Sequence, residues 1–119
     1  MQKNTVTLVA FALIFSLAAL PIYAKLADDL NDLVGYTITA SKTINRWYDD
    51  EKGNDTFEGC DHGRVIVFDD NTSLTCAEYG YQYVYRPTAI ILTRKITAKG
   101  KSFYDIKMVV GDKVYNMRR

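Results

Sequence analysis

The sequence predicts a mainly β (α+β) fold: a short N-terminal helix, then a curled antiparallel sheet or small open barrel of about five to six strands. Three observations carry that expectation. Arg64 to Phe68 and Ser73 to Cys76 are β-rich runs flanking Asp69-Asp70-Asn71-Thr72, a hairpin signal. Tyrosine recurs at every second position from Tyr79 to Tyr85, the period of a strand. The two cysteines, Cys60 and Cys76, bracket the hairpin and suit one disulfide.

A turn centred on Asp70-Asn71 pairs Val65 with Cys76, Ile66 with Thr75 and Val67 with Leu74. Cross-strand partners share a face, so Val65, Val67, Leu74 and Cys76 are expected to form one apolar cluster. That register leaves Cys60 too far along the strand to oppose Cys76, so a bridge requires Gly59–Gly63 to fold back. Glycine permits such a reversal. Closing a loop of about 15 residues stabilises by roughly 3 kcal/mol in the chain-entropy model. Two cysteines and one histidine fall short of a zinc site.

The N-terminus carries an address. Lys3 precedes a nearly unbroken apolar run from Val6 to Leu20, and Pro21-Ile22-Tyr23-Ala24 offers a small residue at the cut. This is the layout of a secretory signal peptide over residues 1–24. The run is shorter than the ~20 residues of a spanning helix, so no membrane span is expected after cleavage. The cysteine pair points to the same oxidising compartment, periplasmic or secreted.

Residues 25–119 then form one small β-rich domain with 14 basic and 14 acidic side chains. The charges are polarised: 25–78 carry a net −7 and 79–119 a net +7. Neutralisation between two halves of one sheet explains this, as does a basic face of Lys95, Lys99, Lys101, Lys107, Arg118 and Arg119. No nucleic-acid motif accompanies the charge, and nucleic acid is not an expected partner.

Leu26, Leu30, Leu33 and Val34 recur at helical spacing and predict a helix over about 26–34 that Gly35 ends. Tyr36 to Ile44 alternates as a half-buried strand that Trp47 and Tyr48 extend. Residues 49–59 read as a polar loop. Its acidity suggests calcium, but an EF-hand frame from Asp49 or Asp50 puts Gly53 or Lys52 at ligand positions, so no metal is expected. Tyr79, Tyr81, Tyr83 and Tyr85 share one face, read first as core and alternatively as a stacking platform for sugar rings or a protein. Ala89 to Leu92 is apolar on both faces, and 97–101 turns the chain. Gly111-Asp112 makes a two-residue hairpin pairing Val109 with Val114 and Met108 with Tyr115.

The chemistry of catalysis is thin. His62 stands beside Asp61, but adjacent residues seldom face each other, and no nucleophile is placed by a motif. No glycine loop cradles a phosphate and no cofactor is implied. A non-enzyme is expected.

The strings FEGCDHGRVIVFDDNTSLTC, YGYQYVYRPTAIIL, LVGYTITASKTI and KMVVGDKVYNMRR resemble a group of small uncharacterised secreted bacterial proteins. The resemblance covers most of residues 25–119 and implies export and the Cys60–Cys76 bridge. It implies no activity.

The leading expectation is therefore a non-catalytic binder of a cell-envelope glycan or protein, through Tyr79, Tyr81, Tyr83 and Tyr85 or the lysines Lys99, Lys101 and Lys107. A second is an inhibitor of a hydrolase such as lysozyme, with 49–63 as the insert. A hydrolase built on Asp61 and His62 is a third.

Overall fold

The computed structural model describes residues 21–119, with side chains from Lys25 onward. The expected signal segment lies outside the described residues, save for the helical backbone of residues 21–24. Helix α1 spans Pro21–Asn31. It thus runs across the expected cut after Ala24, and is not an N-terminal helix over 26–34. It stops at Asn31 because 32–35 form a turn ended by Gly35 at φ 91°, a conformation that glycine adopts readily.

The compact β unit is Tyr36–Arg119. Its strands are β1 (Thr37–Tyr48), β2 (Gly53–Asn54), β3 (Thr56–Cys60), β4 (Val65–Phe68), β5 (Ser73–Cys76), β6 (Gly80–Tyr85), β7 (Thr88–Ala98), β8 (Lys101–Val110) and β9 (Lys113–Arg118). The main sheet runs β2-β1-β4-β5-β9-β8-β7, β2 pairing only with the end of β1, and β7 pairs back onto β1. Six antiparallel strands therefore form a ring, where an open barrel was one expectation. Two register shifts bend β1, at Ile38/Ala40 and Ile44/Arg46. Such bulges sharpen strand curvature, which lets one strand pair with β7 through its first half and β4 through its second.

The ring is filled by Ile44, Ile66, Phe68, Cys76, Ala89, Ile91, Ile106, Met108, Val110 and Met117, one contiguous buried cluster. The expected 108–115 hairpin register is present, with Val109 opposite Val114 and Met108 opposite Tyr115.

The β4–β5 register is shifted from the expected one. Val65 faces Thr75, Ile66 faces Leu74 and Val67 faces Ser73. The loop is Asp69-Asp70-Asn71, closed by Asn71 N–H to Phe68 O (3.0 Å) and Phe68 N–H to Thr72 O (2.9 Å). Asn71 sits at φ 65°, the left-handed residue of a three-residue hairpin loop. A one-residue slip exchanges faces, so Ile66 and Phe68 join Cys76 in the core cluster with Leu74 packed against it, while Val67 is buried outside that cluster and Val65 is half-buried.

The stretch 49–59 is not one loop. Thr56–Cys60 is a strand whose Phe57 is buried, and it pairs with β6 in a separate ribbon. The ribbon is fastened to the ring by packing and hydrogen bonds. Phe57 meets the Tyr115 ring edge-on at 5.7 Å, the Trp47 indole donates to Thr56 O at 2.7 Å, and Gln82 Nε2 donates to Val110 O at 3.0 Å.

Candidate functional site

Cys60 and Cys76 are joined, with Cα atoms 5.5 Å apart. The expected reversal is present: Gly59 and Gly63 both have φ near +80°, and the Gly63 amide donates to Cys76 O at 3.1 Å. Gly59 has a second reason to be glycine, since a Cβ there would lie 2.0 Å from Gly80 O on β6. The bridge thus ties the ribbon to β5 and holds β6 in place.

The position of β6 decides the tyrosines. Gly80, Gln82 and Val84 face the protein, because a Cβ at Gly80 would come within 2.9 Å of the Tyr115 ring and Gln82 accepts the Tyr115 hydroxyl at 2.8 Å. Alternation then turns the other set outward. Tyr79, Tyr81, Tyr83 and Tyr85 are 70, 60, 66 and 66 % exposed. The expected core face is a surface face. The reason is that β6 belongs to the ribbon, which has only one side to bury. Among the described residues its one strand partner is β3, and its other edge pairs with no strand.

The lysines do not gather around this face. Lys99 and Lys101 lie at the tip of the β7–β8 hairpin, where 94–98 and 101–105 pair only with each other. Gln82 anchors β6 at Val110, nine residue steps along β8 from Lys101, or about 30 Å at strand rise. Lys107 is nearer. Its ammonium donates to Asn116 Oδ1, and the Asn116 amide donates to Glu78, the neighbour of Tyr79. It also stands 5.5 Å from the Tyr36 ring, which hydrogen-bonds Asp105.

Asp61 and His62 do not form a dyad. The Asp61 carboxylate accepts the backbone N–H of His62 at 2.8 Å, and among the described residues no hydrogen bond joins the two side chains. They border a polar hollow of about 400 Å³ with Asp49, Asp50, Glu51, Lys52 and Arg64. Arg64 is its buried wall, 3.8 Å from the Trp47 ring centroid and 3.4 Å from the Asp49 carboxylate. Partial desolvation pushes the Asp49 carboxyl up, but the Glu51 and Lys52 amides and Arg64 outweigh it and hold it below its ordinary range. No metal-ligating cluster of three or more side chains occurs among the described residues.

Reading the sequence alone missed Arg64, whose burial depends on Trp47 from a different strand. It also missed a cavity at the ring's mouth, whose walls come from separate strands with no shared motif. No helix among the described residues is long and apolar enough to cross a membrane.

Comparison of the chain with protein-family models, curated proteins and solved structures gives no match.

Proposed function

We propose that this protein is a non-catalytic periplasmic or secreted binding domain whose tyrosine face takes a cell-envelope glycan or protein. The observation that carries the reading is the exposure of Tyr79, Tyr81, Tyr83 and Tyr85 on one side of a ribbon that the disulfide ties to β5. Exposed tyrosines offer flat apolar area with a polar tip and little rotamer entropy to lose, which suits stacking on sugar rings or packing on a partner. A row of four such rings is a larger apolar patch than a monomer carries without use. Among the described residues the second edge of β6 pairs with no strand, which leaves backbone donors and acceptors alongside the tyrosine face.

The test is an NMR titration of the disulfide-bonded protein with soluble peptidoglycan fragments. Saturable shifts at 79–85 that vanish in the Tyr81→Ala/Tyr83→Ala variant are expected. Their absence, with envelope proteins also failing to shift these residues, would remove the assignment.

A second reading, inhibition of a basic hydrolase such as lysozyme, is favoured by one feature. Asp50 and Glu51 are exposed on a turn that Asp49 organises by accepting the amides of Glu51 and Lys52, and Asp55 is exposed just beyond β2. The insert is shorter than 49–63, because Phe57 and Cys60 are core. Unimpaired lysozyme turnover at saturating protein would eliminate it.

A further inference from the structure

The mouth of the ring is open between the first half of β1 and the β4–β5 hairpin. β1 pairs with β4 only from Ile44 onward, and β5 pairs with β9 only at Thr75 and Cys76. Residues 37–42 and 72–74 therefore diverge, and a cavity of about 410 Å³ lies between them. That volume is within the range of small-molecule sites, roughly 300–1,000 Å³. Its floor is apolar: Phe68, Leu74, Ile91 and Ile106.

The rim carries charge of one sign. Lys42 and Arg119 are the charged side chains that line the cavity. Lys42 is held in place, its ammonium 2.8 Å from Asp70 Oδ2 and 2.6 Å from Thr72 Oγ1, and 5.5 Å from the Phe68 centroid. An ammonium has three donors, so one remains for a ligand. Asp70 offsets part of its charge from outside the cavity wall, and Arg119 has no carboxylate partner within 4.0 Å among the described residues. An apolar hollow under a cationic rim is complementary to a small amphipathic anion.

We infer that the ring's mouth is a second binding site, for a carboxylate with an aliphatic body, whose tail rests on Phe68, Leu74, Ile91 and Ile106 and whose head meets Lys42 and Arg119. The site is separate from the tyrosine ribbon. Ile106 lies under the mouth, while Val110, four residues further along β8, anchors Gln82 of the ribbon. Either site can therefore fail without the other.

The probe is decanoate, added below its micellar range to the disulfide-bonded protein carrying labelled methyl groups. Saturable shifts at Leu74, Ile91 and Ile106, with 79–85 unmoved, are expected. Lys42→Met should weaken decanoate by up to about fivefold, the effect of one partly exposed charge pair, and leave uncharged decanol unchanged. Leu74→Trp, which fills the hollow from a half-buried position, should abolish both. Shifts confined to 79–85, equal affinity for decylammonium, or no saturation would overturn the site. Mouth shifts that depend on protein concentration without ligand would overturn it in favour of a second copy of the chain.

Discussion

The Arg64 guanidinium lies 3.8 Å from the Trp47 ring centroid, buried beneath the polar hollow of 49–64. It donates to Gly59 O at 3.3 Å and to Asp49 at 3.4 Å, while its Nε has no partner among the described residues. A buried cation with one unmet donor contributes less through its own bonds than it costs to strand. Asp49→Ala should therefore lower Tm more than Arg64→Met, since the first leaves the charge and the second removes it. Thermal melts of both variants decide this; the reverse order would mean the ion pair itself carries net stability.

Gly59 and Gly63 share a left-handed backbone but not their surroundings. A Cβ at Gly63 meets nothing within 4 Å, whereas at Gly59 it would strike Gly80 O. Gly63→Ala should cost only the conformational penalty, about 1–2 kcal/mol. Gly59→Ala should cost more and loosen the β3–β6 pairing. Denaturant unfolding with amide exchange at 80–85 separates the two; equal losses would contradict the close approach.

Phe57 and Tyr83 are both aromatic strand residues on the ribbon, yet one is fully buried and the other exposed. Phe57→Ala should cost about 3–5 kcal/mol, as large core truncations do. Tyr83→Ala should stay within about 0.5 kcal/mol of the parent. Urea titrations measure both. A large loss at Tyr83 would place that face in the core.

Burial pushes the Tyr115 phenol up to about 12, with the Asp112 charge adding to the shift. A raised folded value favours the protonated form. The stability it contributes is complete below the unfolded value of about 10 and is lost as pH rises through about 12. The parent should lose stability across this window, and Tyr115→Phe should lose less of it. Tyrosinate absorbance together with denaturant midpoints at each pH checks the sign.

Much of the fold was legible because it rests on local signals. The strand at 79–85 follows from two-residue alternation, the 111–112 turn from Gly-Asp, and the reversal at 59–63 from its glycines. The 69–72 hairpin was visible, but its register was not. That depended on Asn71 adopting the left-handed form and making the loop three residues long, a choice worth one full exchange of faces.

By itself, the sequence determined a β-rich chain, its turns and the positions of a bridge, because backbone preference and side-chain period act within a few residues. Tertiary structure alone decided three things. The bent β1 brought β7 round to close the ring. The close fit of Gly80 on Tyr115 sent four tyrosines outward rather than inward. The divergence of β1 from the β4–β5 hairpin opened a cavity floored by residues far apart in the chain. Each depends on where strands distant in sequence meet or part, and no local pattern encodes which side of a strand will meet another.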